Sequence, residues 1–257
     1  MLLNDMAMPD WKDLRDAYGS AEDLPDLLAE LEPDPRSPVW NELWGRVCHQ
    51  SSTFSASPHV LPFLLKAASA WEPGSRAMPL ALAGSIVAAP ETVLDGYRSI
   101  LEELRLLALD TLKSGELSRQ DRIYVMQSAL AFEGDRLWGH ALDRLNGGEF
   151  SGVCPACQTD LCFVIGQYGV FCAAQDWVRN TGAPRSDVHA VAADQLSGVG
   201  RRLHGLSVES GDPVLAEWIC YAFGVSSCPN CGHSLPVADV IAAAEAPWTR
   251  LPPQEGQ

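Results

Sequence analysis

Two tetrapeptides carry the clearest chemistry in this sequence: Cys154-Pro155-Ala156-Cys157 and Cys228-Pro229-Asn230-Cys231, the second followed by Gly232. A Cys-Pro-x-Cys turn can present two thiolates to one metal ion. Together the pairs supply four sulfurs, the number that tetrahedral Zn²⁺ takes in a closed structural site. Four sulfurs leave no position for water, so the expected ion holds structure and does no Lewis-acid hydrolysis. Three other readings stay open: a redox Cys-x-x-Cys pair, buried free thiols, and mixed ligation that recruits His233. A redox pair is expected before a helix on a βαβ unit. Cys162, Cys172 and Cys220 read as buried small hydrophobes rather than further ligands.

Nothing else in the chain has the spacing of a known site. There is no P-loop, no GxGxxG after a strand, no GxSxG and no HExxH, and no His-Glu dipeptide occurs. His49, Glu133, Asp135, His140 and His204 are the candidates for acid–base work, and spacing pairs none of them. Cys48-His49-Gln50 reads as a helix C-terminus. Neighbours on a helix do not face each other, so adjacency there makes no catalytic pair. The roles of Cys48, His49 and His140 are open at this level.

The elements around the cysteine pairs come from local pattern. Gly147-Gly148 reads as a domain boundary, giving domains 1–148 and 149–257. Leu161–Ile165 reads as a strand, Gly166-Gln167 turns, and Tyr168–Cys172 pairs back. A loop covers 180–184, and a helix is expected from Asp187 to Leu206. Asp212-Pro213 starts another helix, with Leu215, Trp218, Ile219 and Ala222 inward. Pro236-Val237 opens a last one, and 247–257 reads as a frayed tail. The knuckles and the hairpin resemble a zinc ribbon split by an inserted helical segment of about 70 residues. Gly232 matches the small residue usual after a ribbon knuckle, whereas Gln158 departs from it.

Residues 1–148 read as consecutive short helices. Asp10 and Ser20 are capping signals for an opening pair, the first carrying Trp11, Leu14 and Tyr18. Ser37-Pro38 and Ser57-Pro58 each start a further helix. Residues 76–89 form a small-residue helix in which Gly84 permits close packing. A long amphipathic helix runs from Val93 to Leu112 at the 3.6 period. Ser118 and Asp135 open the last two. The tryptophans read as core, or alternatively as the lining of a concave surface. The stretch Trp40-Asn41-Glu42-Leu43-Trp44 through Cys48-His49-Gln50, then Ser55-Ala56-Ser57 to Leu61-Pro62-Phe63, resembles HEAT-repeat-like proteins of actinobacteria. That resemblance implies a mainly α fold: a HEAT-like (armadillo-type) helical array followed by a small α+β zinc-ribbon-like domain.

Global properties bound the function. The chain has 257 residues, 47% of them hydrophobic, and a net charge of −15, which disfavours a nucleic-acid surface. Residues 1–34 hold ten carboxylates against Lys12 and Arg15. They form either a solvated face or a steering patch for a basic partner. Residues 1–10 have no basic leader pattern, and no apolar run suits a membrane span. A cytoplasmic location follows, where thiols stay reduced and favour metal over disulfide. The resulting expectation is a protein–protein interaction scaffold with a structural four-cysteine zinc site, in the manner of an immunity-type inhibitor of a basic toxin. The alternative is an enzyme with its pocket between the helical array and the zinc domain.

Overall fold

The computed structural model describes residues 9–49, 52–175, 177–180 and 182–249. Met1–Met8, Gln50 and residues 250–257 lie outside these, and with them most of the leader and tail expectations and the end of the Cys48-His49-Gln50 run. Two compact units are present, one covering residues up to His140 together with the C-terminal residues from Trp248, the other Ala141–Pro247.

The opening of the first unit is not a helix. Asp10 does cap, accepting from Lys12 N–H at 3.1 Å, but for a single 3-10 turn, Trp11–Asp13. The chain then forms a hairpin, β1 (Arg15–Asp16) with β2 (Gly19–Ser20). Asp16 Oδ1 accepts from Tyr18 N–H at 2.9 Å, a local side-chain bond that competes with helix. Tyr18, expected inward, is 73% exposed. The next helix, α1 (Leu24–Ala29), is not capped by Asp23, whose carboxylate instead pairs with Arg46. Arg46 also meets the buried Asp16 at 2.5 Å, so one guanidinium is counter-ion to a buried and an exposed carboxylate.

Pro at the first turn starts α2 (Pro38–Val47), as Ser37-Pro38 indicated. A second two-residue hairpin follows, β3 (Cys48–His49) with β4 (Ser52–Thr53). Helix α3 (Ser57–Ala70) begins at Ser57, whose hydroxyl is a tie rather than a cap. It donates to the Val47 carbonyl at 2.6 Å and accepts from Phe54 N–H at 2.8 Å. Helix α4 (Ala77–Ala88) is apolar on nearly every side and is buried accordingly. Helix α5 starts late, at Arg98–Lys113, because the turn Leu94–Tyr97 with Gly96 at φ +88° precedes it. Val93 is therefore exposed, while Ile100, Leu104, Ala108 and Leu112 face the core. Helix α6 (Arg119–Phe132) is capped by Ser118, which accepts from Asp121 N–H at 3.1 Å. The helix expected after Asp135 is two single turns, α7 (Trp138–Ala141) and α8 (Arg144–Gly147).

In the second unit a four-stranded antiparallel sheet runs β5 (Glu149–Val153), β6 (Asp160–Gly166), β7 (Gly169–Ala174), β8 (Arg185–Asp187), in that order. Strands β6 and β7 are the expected hairpin. Its register pairs Phe163 with Cys172, and Phe163 also lies opposite Phe150 on β5. Burial of β6 on both faces explains its unbroken apolar run. The helix expected from Asp187 begins only at α9 (Gly198–Glu209). Asp212 caps α10 (Pro213–Ala222), accepting from Leu215 N–H at 3.0 Å. The hairpin β9 (Val225–Ser227) with β10 (Ser234–Pro236) follows, then α11 (Val237–Thr249).

This corrects the fold class. The chain is 52% helix and 15% strand, with four small antiparallel sheets among the described residues, so it is mixed α/β and not a mainly α HEAT-like array. The physical reason is visible in the first unit: one hairpin precedes α1, a second separates α2 from α3, and the helices, of 6, 10, 14, 12, 16 and 14 residues, differ in length. No helix among the described residues is long and apolar enough to cross a membrane.

Candidate metal centre

Each Cys-Pro-x-Cys pair is the tip of a hairpin. The first spans the gap between β5 and β6, flanked by the pair Val153–Asp160. The second spans the gap between β9 and β10, flanked by Ser227–Ser234. The two tips are built alike. Cys154 N–H donates to the Thr159 carbonyl at 2.9 Å, and Cys228 N–H to the His233 carbonyl at 2.8 Å. Gln158 N–H returns to the Cys154 carbonyl at 2.9 Å, and Gly232 N–H to that of Cys228, also at 2.9 Å. The return requires a left-handed residue: Gly232 sits at φ +74° and Gln158 at +58°. Gln158 thus adopts the glycine conformation at a steric cost, and its side-chain amide donates to the Cys154 and Pro155 carbonyls at 3.4 and 3.3 Å.

The tips bring the four sulfurs together, all within 4.8 Å of one another. Cys154 Sγ lies 3.8 Å from Cys231 Sγ, and Cys157 Sγ 3.7 Å from Cys228 Sγ. A tetrahedron with metal–sulfur bonds of about 2.3 Å has edges of about 3.8 Å. The donor set and its spacing therefore fit a four-coordinate thiophilic ion. Among the described residues these four form the group able to hold a metal, and His233 is not in it. Neither pair precedes a helix, as a redox motif would; the pairs face each other across two turns.

The sulfurs differ in setting. Cys154 and Cys228 are buried, Cys157 is half-buried and Cys231 is exposed. The Thr159 hydroxyl lies 3.2 Å from Cys157 Sγ, and Asn230 Nδ2 lies 3.6 Å from the same sulfur. Asn230 also donates to Thr159 Oγ1 at 3.0 Å, so one side chain joins the two tips. The Thr159 hydroxyl, then its backbone N–H, then Asn230 and Cys231 lower the Cys157 thiol to about 6 against the effect of burial. At Cys231 a backbone hydrogen bond from His233 pulls down, but the Cys157 thiol, burial and the Cys228 and Cys154 thiols together push it to about 12.

The remaining cysteines are buried thiols. Burial, then the charge at Cys228, pushes Cys172 up to about 12. Burial and Glu91 push Cys48 to about 12, and burial followed by Glu217 raises Cys220. Cys162 is buried on β6.

The acid–base candidates are scattered. His49 is exposed on β3 and meets Tyr18 edge-on at 6.1 Å. Glu133 follows α6 and lies 4.0 Å from Arg105. Asp135 accepts from Trp138 N–H at 2.9 Å, a capping role. His140 is on α7, and His204 is half-buried on α9 of the other unit. Trp11, Trp40 and Trp138 are core residues.

Sequence reasoning missed an aromatic cluster in the second unit. The Arg185 guanidinium lies 4.3 Å from the Phe171 ring centre and 5.6 Å from that of Trp177. Phe171 meets Trp177 edge-on at 5.5 Å, Tyr168 lies 6.2 Å from Trp177, and Trp177 Nε1–H donates to Glu149 at 3.0 Å. Tyr168 and Val178 are 57% and 64% exposed. The residue types were visible, but only the sheet register places Phe171 opposite Asp187 in the strand that carries Arg185.

No protein-family model matches the sequence, and no curated protein and no solved structure matches it either.

Proposed function

We propose that this chain is a protein-binding module whose second unit is held by one structural zinc ion on Cys154, Cys157, Cys228 and Cys231. The observation that carries the reading is the four-sulfur set at tetrahedral spacing, contributed by two hairpin tips. A closed thiolate set selects zinc or iron over hard cations, and zinc needs no redox partner. With all four positions filled by sulfur, the metal's work is to pin the β5–β6 tip to the β9–β10 tip. In outline this is the split zinc-ribbon arrangement.

Two surface features support binding as the module's task. Exposed Tyr168 and Arg185, gathered around half-buried Trp177, have the composition of interface hot spots. Asp13, Glu22, Asp26 and Glu30 remain at the surface near the chain's start, and with a net charge of −15 they favour a basic protein partner, as for an immunity-type inhibitor of a basic toxin. Asp16 is excluded from that surface because it is buried against Arg46, and exposed Asp23 is partly neutralised by the same guanidinium.

Metal analysis of the full chain purified without added metal tests the reading. One zinc per chain, lost in the Cys154→Ser and Cys228→Ser variants, supports it; protein that folds without metal and takes up none overturns it. For the partner, association of a basic protein should slow as salt rises, and Asp13→Asn with Asp26→Asn should lower the on-rate. A partner whose association is indifferent to both would remove the electrostatic part of the proposal.

A further inference from the structure

The centre is asymmetric in a way that selects one of its thiolates for reaction. Exposure rises from Cys154 and Cys228, at 0% and 2%, through half-buried Cys157 to exposed Cys231. Hydrogen bonding separates the two accessible sulfurs. Each accepts a backbone hydrogen bond from the residue two places on, Thr159 or His233. Cys157 has two side-chain partners besides, Thr159 Oγ1 and Asn230 Nδ2. Donors on a thiolate sulfur draw on the lone pairs an electrophile would attack, and they hold the ligand in place. Cys231 has neither protection.

We propose that Cys231 is the oxidant-sensing position of this centre: a hydroperoxide modifies it first, and metal release follows. This rests on the zinc reading above. The step balances. With hydrogen peroxide, the Cys231 thiolate attacks one oxygen, the O–O bond breaks, hydroxide leaves, and the sulfur becomes a sulfenic acid. The Cys154 thiolate, 3.8 Å away, attacks that sulfur and expels a second hydroxide as the S–S bond forms. Two thiolates have lost two electrons, the hydroperoxide has gained two, and solvent protonates the two hydroxides. Cys157 and Cys228 are then the only thiolates of the four left to hold the ion, too few for a closed site. Cys154 is too buried to meet the reagent itself, so it enters only as the resolving partner. Thr159 and Asn230 set the direction: they keep Cys157 from competing with Cys231.

The zinc content of the full chain is measured first, which decides the zinc reading by itself. The protein as purified is then treated with less than one equivalent of hydrogen peroxide. Zinc release is followed with a chromogenic chelator, and the modified cysteines are mapped by differential alkylation and mass spectrometry. The expected result is early label loss at Cys231, a Cys154–Cys231 disulfide, and zinc release in proportion to it. In Thr159→Val and Asn230→Ala, metal release should quicken by about 10-fold and Cys157 should join the modified set. Cys231→Ser, if it folds, should lose the fast phase. First modification at Cys157, Cys154 or Cys228, or zinc loss that does not track Cys231, overturns the proposal even when zinc is present. So does a Thr159→Val, Asn230→Ala pair that leaves the order and rate unchanged.

Discussion

Gly84→Ala is expected to destabilise the first unit by about 2 kcal/mol, although alanine is the better helix former. Gly84 lies in α4 where that helix packs on α6. A Cβ built there would sit 2.4 Å from Ser128 Oγ, 2.6 Å from Ser128 Cβ and 2.7 Å from Ser128 Cα. The first contact could be relieved by rotating a hydroxyl, the last only by moving backbone. Reaching an ordinary separation of about 3.4 Å means parting the helices by several tenths of an ångström along a buried seam. Leu80, Leu82, Ile86, Ile123, Met126 and Leu130 are almost wholly buried in these two helices, so the displacement loosens contacts on both sides. Overpacking of this kind costs about 1–3 kcal/mol, less up to about 1 kcal/mol that alanine returns as helix propensity. With a urea slope of roughly 2 kcal/mol/M, the midpoint of the helical circular-dichroism transition should fall by about 1 M. Gly205→Ala is the control: Gly205 lies within α9, and a Cβ there meets nothing within 4 Å, so stability should hold or rise by about 0.5 kcal/mol. A Gly84→Ala protein with an unchanged midpoint would refute the close approach of α4 and α6.

Other perturbations follow from single contacts. Arg46→Met leaves Asp16, whose side chain is fully buried, without its counter-ion, and should cost about 3–5 kcal/mol in urea unfolding; exposed Asp23 adds little. His59, held below its ordinary value by burial, favours the neutral ring in the fold. The unfolded chain therefore binds the extra proton, and stability is full above about pH 6.5 and falls as pH drops through the lower folded value. Urea midpoints at pH 7.5 and 5.5 should show that part of the loss disappearing in His59→Gln, and an equal slope in both proteins would disprove it. Gly232→Ala forces φ +74° on a residue with a Cβ that touches nothing, so strain alone should cost about 1 kcal/mol, read as a lower Tm of the metal-loaded protein. Gln158→Gly should act in the opposite sense, by about 0.5 kcal/mol, since it relieves the same strain and loses two long hydrogen bonds.

What is legible in the sequence is local, and what is not is set by pairing across distance. Each Cys-Pro-x-Cys pair is legible because a turn of four residues fixes its own geometry, whereas the approach of the two turns, with all four sulfurs within 4.8 Å of one another, is set by the fold. Ser118 and Asp212 announce their helices for the same reason: a cap is a contact between residues three apart. The hairpin of β6 and β7 is legible because both strands carry strong β formers around a Gly-containing turn. Strands of two or three residues have no period to detect, so β1–β4 and β8–β10 read as helix ends and loops, and a mainly α fold is expected where the chain is mixed. Asp23 sits at the start of α1, yet its carboxylate is taken by Arg46, 23 residues away, and does not cap the helix. Thr159 and Asn230 belong to the same class as Arg46. Neither has a motif of its own, yet they meet across the two tips at 3.0 Å, in sequence 71 residues apart. The candidate ligands are therefore written in each knuckle separately, while the asymmetry between Cys157 and Cys231 exists only once the knuckles meet. If Asn230 and Thr159 were exchanged for residues that cannot reach each other, the same four cysteines would form a more symmetric cluster, and the order of thiol reactivity should flatten accordingly.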